Sequence, residues 1–442
     1  MADHARSTSP AVQAQLDRLG TLSPGRDTLG LERIRALCAR LGNPQDRLPP
    51  VFHVAGTNGK GSTCAFLRAM LEAAGHTVHV YTSPHLVRFN ERIRLAGTLI
   101  SDDDLAATLA RVLDIADGLN PSFFEVATAA AFLRFSEVPA DACVIEVGLG
   151  GRLDATNIIA RPLVTGIASL GIDHKEFLLS PDPDVGPMPD LERIAFEKAG
   201  IAKRGVPLVT QHYAAPVAGR IAACADTAGA TPHMRDRQWR SERIGRGFVV
   251  SDRHGKFYAN PPALTGAHQA DNAALAVAML RAQPLLDVPE TALQRGLASA
   301  RWPARMQALG SGPLTRQMPG RTIWLDGGHN ADAAEALAQA LKTGPMMDMV
   351  LGMLANKDLR GFLTPIADKI STLSTVCVKG HAAHDGSTFA EVAAELGLKH
   401  RHFEHFDDAF VANATQNDRD LLVCGSLYLA GEVLRLNEEL PA

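Results

Sequence analysis

Val51-Phe52-His53-Val54-Ala55-Gly56-Thr57-Asn58-Gly59-Lys60-Gly61-Ser62 is the stretch that decides the fold. Its first five residues read as a buried strand. From Lys60 to Ala74 apolar residues recur at helical spacing (Phe66, Leu67, Met70, Leu71) until Gly75 stops the pattern. A glycine-rich turn between strand and helix lets backbone N–H groups point at phosphate oxygens, and the helix N-terminus adds a favourable dipole. In that setting Thr57, Asn58, Gly59, Lys60, Gly61 and Ser62 form a nucleotide-binding loop, with Lys60 neutralising the β- and γ-phosphates and Ser62 or Thr63 supporting Mg²⁺. The bland alternative is a glycine turn with a solvated lysine, and the flanking strand and helix weigh against it. The spacing departs from GxxxxGK[ST], because Val54 occupies the first glycine position and Gly61 separates Lys60 from Ser62.

Outward from this loop the chain keeps alternating. Strands are expected at Thr77 to Tyr81, Cys143 to Val147 and Val164 to Ser169, with a helix over Thr128 to Phe135. Such alternation implies a parallel, doubly wound sheet. Thr231 to Ala259 reads as a small antiparallel element, and helical sequence resumes at Gln269 to Leu280. After Arg301-Trp302-Pro303 the alternation restarts, with strands at Thr322 to Leu325, Met349 to Met353 and Leu421 to Cys424 and a helix over Ala331 to Leu341. The expected architecture is therefore α/β: a P-loop-type parallel-sheet domain with a small antiparallel element over 1–299, followed by a smaller Rossmann-like α/β domain over 300–442. The segment from Pro181 to Pro189 carries four prolines and reads as an irregular loop.

Composition excludes several functions. At 442 residues, two cores are the expectation. A formal charge of −4 advertises no basic face for nucleic acid. No stretch is long and apolar enough to span a membrane, and the N-terminus lacks a basic segment followed by an apolar run, so the cytoplasm is the expected location. The six cysteines lie far apart without a CxxC pair, which suits reduced thiols and sets a zinc site aside.

Three further segments narrow the reading: Thr82-Ser83-Pro84-His85-Leu86 with Asn90-Glu91-Arg92-Ile93; Glu146-Val147-Gly148-Leu149-Gly150-Gly151-Arg152-Leu153-Asp154-Ala155-Thr156-Asn157; and Ile194-Ala195-Phe196-Glu197-Lys198-Ala199-Gly200-Ile201. The loop resembles that of the Mur ligase superfamily. With these segments, Leu29 to Ile34 and Cys424 to Tyr428, nearly the whole chain resembles the folylpolyglutamate synthase/dihydrofolate synthase branch. Glu146 and Asp173-His174 close predicted strands, where open α/β sheets place ligand chemistry. The resemblance implies that Ser83, Glu146 and His174 hold Mg²⁺, and that Lys198 is carbamylated and helps hold a second Mg²⁺, with K⁺ a further candidate. Without the resemblance, His174 would read as an ordinary loop histidine and Lys198 as a solvated surface group. The catalytic set implied is Lys60, Lys198 and His174.

The resemblance further assigns Asn272, at a predicted helix start, to the adenine, Arg305 to the phosphates and Asp326 to the ribose, with His329 and Asn330 shaping that surface and ATP contacted from both domains. Ala304 replaces the glycine common before that arginine, and Gly328 stands where many relatives carry alanine. For the pterin the resemblance points to Asp27, Thr28, Leu29, Phe124, Leu153, Asp154 and Ala155. An aromatic such as Phe124 can stack on a flat ring, although an isolated Phe is more often core.

The activity implied is ligation of L-glutamate to dihydropteroate or a reduced folate through an acyl phosphate, giving ADP and phosphate, by a monomer. A monofunctional folylpolyglutamate synthase is the nearest alternative. A peptidoglycan-precursor ligase shares the loop but would carry a nucleotide-sugar-binding domain before it, where fifty residues precede Val51. A P-loop binding protein that ligates nothing would not need Glu146, His174, Lys198 and a second α/β domain together.

Overall fold

The computed structural model describes residues 6–22, 29–183, 185–416 and 418–441. The chain divides into two compact units, one comprising residues up to Ala263 with Gln269–Arg301, the other Leu264–His268 with Trp302 onward.

The first unit is built on an eight-stranded sheet of β1 (Val51–Ala55), β2 (Val78–Tyr81), β3 (Ile93–Leu95), β4 (Thr98–Leu99), β5 (Ala142–Glu146), β6 (Val164–Ile167), β7 (Pro207–Thr210) and β8 (Thr231–Met234), in the order β4-β3-β2-β5-β1-β6-β7-β8. From β2 to β8 all pairings are parallel; β3 and β4 add an antiparallel edge. β1, β2, β5 and β6 are buried along their whole length, as expected for strands covered on both faces. Because β1 lies between β5 and β6 with Val54 opposite Glu146 and Ala55 opposite Ile167, the loops leaving all three strands emerge at one edge.

The helix after β1 spans Lys60–Ala73, within one residue of expectation. The predicted Thr128–Phe135 helix is longer, Phe123–Glu137, because Ser122 and Glu125 form a reciprocal cap: Glu125 N donates to Ser122 Oγ (3.2 Å) and Ser122 N to Glu125 Oε2 (2.6 Å). One expectation is corrected. The antiparallel element is limited to β9 (Arg240–Ile244), β10 (Gly247–Asp252) and β11 (Gly255–Ala259), whereas Thr231–Met234 joins the main sheet as its edge strand, parallel to β7. Pro232 disguises it, since proline weakens a strand pattern yet is tolerated at a sheet edge.

The second unit carries a six-stranded sheet of β12 (Gln307–Ala308), β13 (Ile323–Leu325), β14 (Met347–Leu351), β15 (Ile370–Val376), β16 (Lys399–Phe403) and β17 (Leu421–Cys424), ordered β12-β13-β17-β14-β15-β16. All pairs are parallel except β12 with β13. Its core gathers Leu337, Met349, Leu351, Phe362, Ile366, Phe389 and Leu422. No helix among the described residues is long and apolar enough to cross a membrane.

The Lys60–Ala73 helix is backed by the Glu290–Ser299 helix, and they approach so closely that a Cβ on Gly296 would overlap the backbone of Met70. Overpacking of that kind costs roughly 1–3 kcal/mol. Gly296→Ala is therefore expected to lower the urea midpoint with an unchanged slope; an unaltered midpoint would show that the helices can part without cost.

Candidate active site

β1 ends at Ala55, the chain turns through Gly56–Gly59, and the helix starts at Lys60. The turn is fastened to the loop after β6. Thr57 N donates to Ser169 O (2.7 Å), Thr57 Oγ1 donates to Gly171 O (2.8 Å) and accepts from Gly171 N (3.1 Å), and Ser169 Oγ donates to Asn58 O (3.1 Å). Lys60 folds back, its Nζ donating to Thr57 O at 3.2 Å. Gly59 adopts φ +84°, and a Cβ there would overlap Asn272 Oδ1. Asn272 thus lies against the loop. It is not at a helix start: the helix spans Ala267–Arg281, which places Asn272 in its second turn, buried, with Nδ2 donating to Gln269 Oε1 (3.1 Å).

Ser62 and Thr63 are buried in the first turn, and among the described residues their hydroxyl oxygens have no hydrogen-bond partner. A buried, unsatisfied hydroxyl is costly unless something polar meets it. At a helix N-terminus beside a lysine, phosphate oxygens and a hard divalent cation fit that requirement.

Glu146 closes β5 and is 4% exposed; its Oε2 accepts from Ser83 N (3.3 Å), just beyond β2. After β6, Asp173 Oδ1 accepts from His174 N (2.8 Å), and His174 holds φ +52°, an unusual backbone state for a residue with a side chain. Lys198 lies in the helix Asp190–Ala199 and is buried rather than solvated, 4% exposed. Burial, and then the charge of Lys60, lower its amine to about 7, against the attraction of Asp173, Asp154 and Glu197. Those couplings bring the phosphate-loop lysine, the end of the β6 loop and Lys198 into one electrostatic neighbourhood.

Sequence reasoning missed what holds Lys198 there. Arg152 N donates to Glu197 O (2.7 Å), and the Arg152 guanidinium pairs with Glu197 (3.0 Å) and Asp182 (2.5 Å). Arg193 pairs with the same Glu197 at 2.9 Å, and the Phe196 ring lies beneath both guanidinium groups. Asp182 belongs to the proline-rich segment, which is irregular as expected yet tied to the Lys198 helix. The signal was available in charge pattern alone, since Arg193 and Glu197 stand four residues apart on one helix face.

Phe124 is only half-buried, and a Cβ on Gly148 would overlap the end of its ring. The Tyr81 ring lies 6.0 Å away, centroid to centroid. Leu29 and Leu153 are half-buried and Ala155 is buried, while Asp27 and Thr28 lie outside the described residues. Asp154 spends its carboxylate internally, accepting from Leu149 N (2.8 Å), Thr156 N (3.0 Å) and the Thr156 hydroxyl, and burial raises its pKa. Its contribution is to fix the loop that presents Leu153 and Ala155.

In the second unit Asp326 follows β13, with Oδ2 accepting from Met306 N (2.8 Å) and Oδ1 from Gly328 N (2.7 Å). A carboxylate has lone pairs left for two hydroxyls after such bonds. Arg305 Nη1 donates to Ala304 O (2.8 Å) and sits over Gly327, where a Cβ would come within 2.8 Å of it. Asn330 caps the helix Ala331–Leu341 through Oδ1, and His329 Nδ1 bonds Gly327 O at 2.9 Å.

Comparison with known proteins gives concordant results. Residues 315–436 match the family described as dihydrofolate synthetase, C-terminal domain. The chain is 34% identical over 430 residues to the dihydrofolate synthase/folylpolyglutamate synthase of Bacillus subtilis, covering 91% of this chain and 94% of that one. Among solved structures, E. coli FolC in complex with DHPP and ADP superimposes with a TM-score of 0.85 at 32% identity, covering 98% of each chain. The Yersinia pestis bifunctional folylpolyglutamate synthase/dihydrofolate synthase complexed with AMPPNP and Mn ion gives 0.83 at 30% identity, covering 97% of this chain and 98% of that one.

The left-handed turn at Gly59 costs a residue with a Cβ about 1–2 kcal/mol, to which the overlap with Asn272 adds. Gly59→Ala is expected to weaken ADP binding by about tenfold or more in titration calorimetry. Binding at parental strength would mean that the loop need not keep this turn.

Proposed function

The chain belongs to the dihydrofolate synthase/folylpolyglutamate synthase family, and from that premise we propose that it uses ATP to join L-glutamate to dihydropteroate, and to reduced folates already carrying glutamate, releasing ADP and phosphate. The observation that carries the reading is the convergence, at one sheet edge, of the Gly56–Ser62 loop, Glu146, and the loop leading to His174 and the buried Lys198. A nucleotide cradle alone is common to many activities; the added carboxylate, imidazole and buried amine suit phosphoryl transfer to an acid.

A carboxylate is a poor acyl donor because its oxygen leaves badly. Transfer of the γ-phosphoryl to it breaks the β–γ bridge of ATP and forms an acyl phosphate; attack by the α-amine of glutamate then expels phosphate and makes the amide. The loop amides and Lys60 hold and neutralise the transferring group. Ser83, Glu146 and His174, with Ser62 or Thr63, would hold a divalent cation, which supplies further charge neutralisation on the phosphates when bound. Asn272, already against the loop, is suited to the adenine; Arg305 and Asp326 keep the phosphate and ribose roles that the family resemblance gives them. Phe124 offers a half-exposed ring for the pterin, beside the loop fixed by Asp154.

Lys198 takes the carbamate role. A neutral amine attacks CO₂ and loses a proton, turning a buried cation into a carboxylate that can share a second Mg²⁺. An amine lowered to about 7 is largely neutral just above neutrality, and below that pH it is protonated and cannot attack. With ¹³C-bicarbonate, a carbamate resonance is therefore expected above about pH 7, fading as pH falls, and missing in Lys198→Met. A parental spectrum without it, together with undiminished activity in Lys198→Met, would remove the role.

The activity itself is tested by glutamate-dependent ADP release with dihydropteroate and with tetrahydrofolate, and by mass spectrometry of the products. Both acceptors are expected to gain glutamyl residues, and Lys60→Ala to lose activity by about 10²-fold or more. ADP release that ignores glutamate would overturn the reading; elongation of only one acceptor would make the enzyme monofunctional.

A further inference from the structure

Cys377, His402 and Glu404 are 25 and 27 residues apart from the cysteine in sequence, and no spacing rule joins them. The sheet of the second unit does. β15 and β16 run parallel with Thr375 opposite His402 and Val376 opposite Phe403. Since side chains alternate along a strand, Thr375 and the following Cys377 fall on the same face as His400, His402 and Glu404. There the thiol sulfur, a ring nitrogen of His402 and a carboxylate oxygen of Glu404 all lie within 4.8 Å of one another, and Cys377 Sγ is 3.7 Å from Glu404 Oε2.

The imidazole is held in place by its surroundings. His402 Nδ1 lies 2.9 Å from Thr375 Oγ1, and the same hydroxyl lies 2.8 Å from His400 Nε2. A hydroxyl can donate one bond while accepting another, so Thr375, fully buried, orients both rings. Phe389 stacks on His402 with centroids 6.0 Å apart, and a Cβ on Gly386 would come within 2.8 Å of His402 Cδ2. A ring fixed by a hydrogen-bonded partner and by packing is the usual support of a metal ligand. Cys377 and His402 are half-buried, whereas Glu404 is exposed, so its carboxylate can swing while the other two donors stay in place.

We propose that Cys377, His402 and Glu404 form a binding site for a thiophilic divalent cation of the Zn²⁺ class, in the second unit and independent of the Mg²⁺ that accompanies ATP. The donor set argues for that class: thiolate and imidazole favour zinc, whereas Mg²⁺ takes oxygen ligands alone. Around tetrahedral zinc, ligand bonds of about 2.0–2.3 Å demand closer donors than 4.8 Å, and the exposed Glu404 supplies the adjustment. Three protein ligands leave a fourth position for water. Binding forms the sulfur–metal bond and releases the thiol proton to solvent; no electron is transferred.

The test uses the full chain, stripped with chelator and titrated with Zn²⁺ in excess Mg²⁺ without nucleotide. One equivalent is expected to bind, and Co²⁺ in its place to give a thiolate-to-metal charge-transfer band. Cys377→Ser and His402→Ala should abolish the band, Glu404→Gln should weaken binding, and Thr375→Val, which leaves all three ligands, should weaken it by about tenfold. Cys224→Ser, a half-buried thiol elsewhere, should change nothing. Binding by Cys377→Ser at parental strength, or a Co²⁺ complex without the charge-transfer band, would overturn the site. Glu404→Gln lies at the surface, so its result does not depend on whether the more buried variants fold.

Discussion

The pairing of β1 between β5 and β6 is the constraint on which the first unit rests. Parallel strands expose their C-terminal ends at one edge, so three loops distant in sequence arrive together without any being specified to meet the others. The loop from β1 offers backbone amides and a cation, the end of β5 offers a carboxylate, and the loop from β6 offers an imidazole. Strand burial supplies the rigidity: Val51–Ala55 is buried throughout, so the turn that follows cannot shift without disturbing the core.

Placing an amine beside that edge has an electrostatic cost. Lys198 is removed from water and faces a second lysine, and what offsets the penalty is a ring of carboxylates together with the mechanical anchoring of its helix by Arg152 and Arg193. Those two arginines act on Glu197 rather than on Lys198. The result is an amine held in position whose burial moves its balance toward the neutral form, as exposure to water at the surface would not.

Much of this was legible in the sequence because its signals are local. The strand, turn and helix around Gly59 carry their own punctuation, and the repeated alternation after Trp302 announces a second sheet. What was not legible depends on contacts across the chain. Thr231–Met234 looked like part of a hairpin because Pro232 masks an edge strand. Asn272 looked like a helix start, whereas the helix already begins at Ala267 and places it in the second turn. The bonds that Asp154 accepts from Leu149 and Thr156 likewise depend on how its loop folds, which the residue types alone do not announce. The thiol of Cys377 looked isolated because only the register of β15 against β16 brings it to His402.

The Thr57 hydroxyl both gives a hydrogen bond to Gly171 and receives one from it. The Gly56–Gly59 turn and the segment leading to His174 are thereby tied by a reciprocal contact, so that ordering one favours order in the other. A first ligand that quiets the turn pays part of the conformational entropy that a second, bound near His174, would otherwise lose. Cooperativity between two ligands can in this way arise from one side chain, without displacement of any strand.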